Sequence, residues 1–319
     1  MKYFAYKVLF FIVLRLPDFF FGILFRLTFP VYKALHRERA FGRAEKHLED
    51  ALGKTMENRC SAEEVFRGIY WNAIDSYRGL AGLWRTNSRI VFENEEILRD
   101  ALNGNLEKGI AGGPVAAISI HQGSFELLHR SLCRYSNNVH LVTDTLKDGA
   151  LRRVIQEFRS HRNLTEYRPD QSRALLRNLF KKNPENPGSD LSGNGILAMV
   201  IDQGKNTKGN KVKLFGKDST LYLKLPELVN QMGAGIVTFR TFTQPRQGKS
   251  RKSDFKGRIV IRFEKYYPPQ YNELIKNRTS EDNKGSATLV KSIAKEVESW
   301  ISEHPNQWSW NYHGNFRVQ

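Results

Sequence analysis

His121 and Glu126, five positions apart in His121-Gln122-Gly123-Ser124-Phe125-Glu126, are the residues of this chain best suited by type and spacing to proton transfer. An imidazole takes a proton from a hydroxyl near neutral pH. A carboxylate within hydrogen-bond reach fixes the ring's tautomer and stabilises the imidazolium that forms. The residues before them, Val115 to Ile120, make an uncharged apolar run of the kind expected of a strand buried on both faces. Gly123-Ser124 predicts a helix start with Ser124 as its cap. His121 is thereby expected at the carboxyl end of a strand and Glu126 in the first turn of the next helix. Spacing alone is also compatible with two ordinary loop and helix-start residues.

Ala198 to Ile201 forms a second apolar run, and it leads into Asp202-Gln203-Gly204. In open α/β sheets ligands gather beyond the carboxyl ends of the strands, so Asp202 and His121 are expected on one rim. A turn or cap role is the plain alternative for Asp202. Other chemistries find little local support. No Gly-x-Ser-x-Gly elbow is present, Gly204 to Lys211 lacks the Gly-Lys-Ser/Thr of a phosphate loop, and the His and Cys residues are too dispersed for a zinc site.

The elements that must carry these residues follow from periodicity. Helices are expected over Arg37 to Leu52 and Ala62 to Trp84, the second with Val65, Ile69, Trp71, Ile74 and Leu80 turned to the core. From about residue 110, short apolar runs alternate with helical segments. Strands are predicted at Val139 to Thr145, Ile196 to Ile201, Gly235 to Thr241 and Arg258 to Phe263. Helices are predicted at Gly149 to Arg159, Gln171 to Lys181, Ser219 to Met232, with Pro226 near its start, and Ser286 to Ile301. Asn183 to Asn194 and the basic stretch Gln244 to Lys256 read as surface loops, the second with Arg246, Lys249, Arg251, Lys252 and Lys256 available to anionic partners. The pattern predicts an α/β fold: a mixed central sheet with helices on both faces, preceded by an N-terminal membrane-associated helix and a helical region. The expected division is an anchor at 1–35 and one domain at 36–319, with a helical lead-in at 36–105 and an α/β core at 106–319.

The first 35 residues are rich in Phe, Leu, Ile and Val, interrupted by Lys7, Arg15, Asp18 and Arg26. At about 100° per residue these charges fall within an arc of roughly 100°, which suits a helix lying in a membrane interface. It is expected to kink near Pro17 and stop at Pro30. A bilayer-spanning helix and a buried helical hairpin are the other arrangements the stretch admits, and a cleaved signal peptide lacks its small-residue site.

The chain has 319 residues, 40% of them apolar, enough for a substantial core. Its 50 Lys and Arg against 33 Asp and Glu give +17, favouring anionic lipids, acidic proteins or polyanions as partners. Two cysteines, Cys60 and Cys133, argue for a reducing compartment over a disulfide framework.

Taken together, the motifs resemble the late acyltransferases of lipid A biosynthesis, the lauroyl and myristoyl transferase family within the wider lysophospholipid acyltransferase group. His121 to Glu126 matches that family's His-x4-Asp/Glu motif, and Arg159 its arginine after a helix. Asp202-Gln203 matches its Asp-Gln or Asp-His pair, Leu214-Phe215-Gly216 its Phe-Phe-Gly segment, and Gly233-Ala234-Gly235-Ile236-Val237 its glycine-alanine strand. Pro305-Asn306-Gln307-Trp308-Ser309-Trp310 matches its closing Pro-x-Gln-Trp/Tyr-x-Trp. Ser124-Phe125 stands where the family usually has Asn-Trp, and the family's strand proline is absent near Phe239. His313 to Arg317 replaces the usual basic and aromatic run.

The resemblance implies acyl transfer from a thioester, on acyl carrier protein or coenzyme A, to a hydroxyl of an anionic membrane glycolipid at the cytoplasmic side of a bacterial inner membrane. In that reading His121 is the general base and Glu126 orients it. Arg159, Asp202, Gln203, Gly123 and Ser124 bind substrate, with backbone N–H groups around Gly123 to Phe125 facing the oxyanion. No metal, cofactor, covalent acyl-enzyme or nucleic acid is called for. A glycerophospholipid or other glycolipid acceptor is the nearest alternative, and a non-catalytic membrane-tethered polyanion binder is the alternative of a different class.

Overall fold

The computed structural model describes residues 1–53, 60–82, 89–143, 148–182, 191–203, 209–244, 257–270 and 282–310. Four helices open the chain: α1 (Lys2–Arg15), α2 (Asp18–His36), α3 (Gly42–Leu52) and α4 (Ala62–Leu80). Ser61 and Glu64 form a reciprocal capping box at the start of α4, satisfying two backbone N–H groups that a helix start leaves without partners. The core follows as β1 (Ile90–Glu93), α5 (Glu95–Asn103), β2 (Val115–Ser119), α6 (Leu128–Leu132), β3 (Val139–Val142), α7 (Gly149–Arg159), β4 (Leu164–Tyr167), α8 (Ser172–Leu179) and β5 (Ile196–Val200). The hairpin β6 (Asn210–Leu214) and β7 (Lys217–Leu221) precedes α9 (Lys224–Gln231), β8 (Gly235–Gln244), β9 (Arg258–Tyr267) and α10 (Asp282–Glu303).

Seven strands form one sheet in the order β1-β9-β8-β2-β5-β3-β4. Every neighbouring pair is parallel except β8 with β9. Side chains alternate across a strand, so one face of β2 carries Ala116 and Ile118 and the other Val115 and Ala117. The first face packs on α3, α4, α8, α9 and α10 through Leu48, Val65, Leu175, Val229 and Ile293. The second packs on α5 and α6 through Leu98, Leu128 and Leu132. β2 is buried along its whole length, as the uncharged run predicted. Its chain leaves over β5 towards β3, whereas β5 leaves through the hairpin and α9 over β2 towards β8. Connections that part in opposite directions open a crevice at the carboxyl ends of those two strands, where ligands bind in open α/β sheets.

The α/β class and the flanking helices agree with the sequence reading; several details differ. Ser219 to Met232 is not one helix, because Ser219 to Leu221 belongs to β7. The sparse alternation Val212, Leu214, Ser219, Leu221 signals a hairpin, and Phe215 and Gly216 close it with φ of 51° and 73° at its two turn positions. Left-handed backbone is unfavourable for phenylalanine. Phe215 is held there by an N–H bond to the Glu298 carboxylate and by its ring against Trp310. Pro226 does sit in the first turn of α9.

β1, β4 and β6 were also missed, and β1 lies inside the stretch read as a helical lead-in. These are short or edge strands, where periodicity carries little information. Pro30 lies within α2 and does not stop it, while the chain does break at Leu16-Pro17. Residues 144–147, 183–190, 245–256 and 311–319 lie outside the described residues. With them go most of both loops, all five named basic residues of the second, and His313 to Arg317.

The chain bends by 111° between α1 and α2, and among the described residues no single helix is long and apolar enough to cross a membrane, although by length and composition the bent pair is a candidate. Arg78 of α4 fills the corner. It donates to the Leu14 and Leu16 carbonyls, pairs with Asp18 and lies 4.7 Å from the Phe21 ring centre. α1 also rests on α7, through Lys7–Glu157 at 2.9 Å, Tyr6–Asp148 at 3.3 Å and Phe10 against Phe158.

Candidate active site

The register of β2 on β5 sets the site. Ser119 lies opposite Val200, and the Ile201 N–H donates to the Ser119 carbonyl at 2.8 Å, so the residues two beyond each strand meet. These are His121 and Asp202. Nδ1 of His121 lies 2.7 Å from Oδ1 of Asp202, and the His121 backbone N–H reaches both carboxylate oxygens at 3.2 and 3.1 Å. A carboxylate accepts, so the ring proton sits on Nδ1 and the lone pair on Nε2. The Asp202 side chain is 2% exposed against 17% for His121. The carboxylate therefore lies behind the imidazole and the imidazole faces outward.

A buried charge needs donors, and Asp202 has a further one in the Trp308 indole N–H, 2.9 Å from Oδ2. The Tyr222 N–H, just after β7, holds the neighbouring Ile201 carbonyl at 2.7 Å. The hairpin thus returns the chain to brace the end of β5.

Among the described residues no hydrogen bond joins Glu126 to His121, and the two interact through charge alone. Glu126 lies in the 3₁₀ turn Phe125–Leu127 and takes a two-pronged pair from Arg159 at the end of α7, Nε at 2.8 Å and Nη2 at 2.6 Å. Burial pushes the Glu126 carboxyl upward in pKa, but the Arg159 hydrogen bonds and charge outweigh it and hold the group below its ordinary value. Burial opposes the Arg159 charge too, and Glu126 more than restores it, so its pKa is raised. Nearby, burial and then the charge of Glu126 push the Tyr77 hydroxyl up to about 12. Burial holds His129 neutral, with a pKa of about 4.

Between the two pairs the backbone turns at Gly123, with φ of +57°. A Cβ there would lie 2.5 Å from the Thr241 carbonyl oxygen of β8, so only glycine fits without displacement. The Gly123 N–H is taken by the Gln307 carbonyl at 2.9 Å. Ser124 is fully buried with its hydroxyl directed at the Asn72 carbonyl, 3.4 Å away, and makes no side-chain cap. These two predicted substrate contacts therefore hold the loop in place. The N–H groups of Phe125 and Glu126, at the first positions of the turn, have no acceptor within it. Gln203 is exposed beside Asp202. The Phe125 ring stands edge-on to the imidazole with centres 4.6 Å apart.

The closing segment was recognised as a motif but not as part of the site. Gln122 bridges to Trp308, and the Gln307 amide brackets Thr243 of β8 by accepting from its N–H at 2.7 Å and donating to its carbonyl at 2.9 Å. The signal was the match of Pro305 to Trp310 itself; the contacts that give it meaning span more than 60 residues.

An α/β sheet with an outward-facing histidine backed by a buried carboxylate at its central strand ends is a framework for activating a hydroxyl. Residues 84–317 match the family described as bacterial lipid A biosynthesis acyltransferase, and the chain belongs to that family. It is an acyltransferase, with an acyl donor and a lipid acceptor as substrates. No match was found among curated proteins.

Proposed function

We propose that this acyltransferase moves a fatty acyl group from a thioester to a hydroxyl of a lipid A-type glycolipid at the cytoplasmic face of a bacterial inner membrane. The observation that carries the chemistry is the 2.7 Å bond between Nδ1 of His121 and the buried Asp202, which leaves Nε2 as the free base. Nε2 takes the acceptor's hydroxyl proton as its oxygen bonds to the thioester carbonyl carbon. When the carbon–sulfur bond breaks, the imidazolium returns that proton to the departing thiolate. General-base help of this kind is worth about 10² to 10⁴ in rate. The N–H groups of Phe125 and Glu126 suit the tetrahedral oxyanion, and Gln203 suits a headgroup contact. Arg159 neutralises Glu126, so that this carboxylate does not compete with Asp202 for the imidazole. The excess of basic residues suits an acidic carrier protein as donor and phosphorylated headgroups on the acceptor.

The anchor reading, over residues 1–35, rests on the exposed apolar faces of the bent pair, among them Phe4, Phe11, Phe19, Phe20, Leu24 and Leu27. Burying a side chain of this size stabilises by roughly 1.5–3 kcal/mol, against about 1 kcal/mol for each Lys or Arg near an anionic surface. Apolar insertion therefore supplies most of the affinity, and the charge selects the lipid. The pair lies along the interface with the Arg78 corner holding its bend.

Mass spectrometry of membrane glycolipids from cells with and without the gene tests the assignment. One acyl group should be missing from the glycolipid, restored by the wild-type chain and not by His121→Ala. An unchanged glycolipid with an altered glycerophospholipid would move the acceptor to that class. Unchanged lipids of both kinds would overturn the reading.

A further inference from the structure

Trp308 and Trp310 are two positions apart, both fully or almost fully buried, with rings edge-on at 4.7 Å between centres. Each indole N–H is satisfied, as a buried donor must be. Trp310 donates to the backbone carbonyl of Pro305 at 2.7 Å, an ordinary structural bond within its own segment. Trp308 donates 2.9 Å across the fold to Oδ2 of Asp202, the carboxylate whose other oxygen holds His121. The backbone beside Trp308 is tied to the opposite half of the same pair, through the bridge from Gln122 and the Gly123 N–H on the Gln307 carbonyl. Residues 307 and 308 thus grip the loop after β2 by the main chain and the residue after β5 by the indole.

We propose that Trp308 is a positioning residue of the reaction, its indole N–H fixing the rotation of the Asp202 carboxylate so that Oδ1 stays aligned on Nδ1 of His121. This rests on the reading of His121 as base and Asp202 as its partner. A carboxylate on a single Cβ–Cγ bond has a broad torsional well. The His121 backbone N–H, shared between both oxygens at 3.2 and 3.1 Å, sets that rotation loosely, and the shorter indole bond on Oδ2 opposite the imidazole on Oδ1 fixes it. The indole also withdraws electron density from the carboxylate and tempers its pull on the imidazole proton. The ionisable group that acts on the imidazole from the other side is Glu126, whose charge Arg159 largely cancels, with the neutral His129 and Tyr77 packed around that pair.

The test replaces each tryptophan separately by 3-benzothienylalanine, which keeps the shape and puts sulfur where the N–H was, in the full chain in anionic mixed micelles. Turnover is read with a lauroyl thioester and a lipid A precursor. Trp308→3-benzothienylalanine is expected to lower kcat about 10- to 100-fold, the factor for a hydrogen bond to a charged group. KM should stay within about twofold. The acid limb of the kcat/KM profile should move to higher pH, because an Asp202 relieved of one donor holds the imidazolium more strongly. The same exchange at Trp310 should lower the melting temperature similarly and leave the pH limb in place. W308F, which likewise cannot donate, should shift the limb in the same direction.

Wild-type kcat and an unmoved limb at position 308, with His121→Ala inactive, overturn the proposal and leave the acid–base reading standing. So does a loss that follows the melting temperature equally at 308 and 310. Retained turnover in His121→Ala removes the underlying reading instead.

Discussion

Two carboxylates approach the same strand end, and their partners are exchanged relative to what proximity in the chain suggests. Glu126, five positions from His121, is bound by Arg159 33 positions away. Asp202, 81 positions away, holds the imidazole. The difference lies in the backbone between them. After His121 the chain turns at the left-handed Gly123, packed on Thr241, and carries Glu126 towards α7, whereas the β2–β5 register delivers Asp202 directly. A short separation guarantees nearness but not orientation. Strand register supplies both.

Substitutions at the two pairs break or sharpen this contrast. His121→Ala should lower acyl transfer by about 10⁴ while leaving vesicle flotation intact; turnover within tenfold of wild type would end the assignment of the base. Asp202→Asn keeps the shape and removes the charge that favours the imidazolium, with an expected loss of about 10³ in kcat. Glu126→Gln should cost about tenfold in kcat or less. A larger kcat loss in Glu126→Gln than in Asp202→Asn would reverse the roles given to the two carboxylates.

The second pair should register in stability. Removing one partner of a mostly buried ion pair costs roughly 3 kcal/mol, measured for Glu126→Gln by denaturant unfolding at pH 7. Because the folded pKa of Glu126 is depressed, its contribution is complete above the unfolded value near 4.5 and fades as pH falls through the folded one. The stability gap between wild type and variant should therefore narrow on acidification; a constant gap from pH 7 to 3 would contradict the pairing. Gly123→Ala, at the turn that separates the pairs, is expected to cost about 2 kcal/mol through strain at positive φ and the clash with Thr241. An unchanged melting temperature there would show that the turn relaxes freely.

A separate effect, outside the two pairs, is on the whole fold. Burial depresses His129, His140 and His304 to about 4, so the unfolded chain binds protons more readily below about 6.5. Stability should fall as pH drops from about 6.5 towards 4. Asp75, raised to about 6 by burial against the opposing charge of Arg89, contributes with the opposite sign between about 4 and 6. Thermal unfolding across that range measures the balance, and a rise in melting temperature on acidification would show that Asp75 dominates.

The fold class was legible because buried strands and amphipathic helices write their periods into the chain. Gly149–Arg159 was delimited to the residue, helped by Asp148, whose side chain caps the helix through the Ala150 and Leu151 N–H groups. The long helices α4 and α10 and the strands β2 and β5 were placed within a few residues. The hairpin β6–β7 was not, since its exposed positions, Lys211, Lys213 and Asp218, carry no strand preference. β8 and β9 run further than expected, to ten residues each, as their antiparallel pairing continues past the apolar stretch.

His121 and Asp202 were each marked by a strand ending in a polar residue, a local property that residue types alone determine. Their bond required the register of β2 on β5, which is a choice among strand pairings. Glu126 was marked by spacing, and its partner was decided by where α7 ends. The pattern of Pro305 to Trp310 was visible, yet nothing in it distinguishes the indole that touches Asp202 from the one that bonds the Pro305 carbonyl within its own segment. Sequence determined which side chains were available and which backbone period carried them. Only the tertiary structure decided which carboxylate stands behind the imidazole, because hydrogen bonds depend on direction, and direction here comes from strand register and one left-handed glycine.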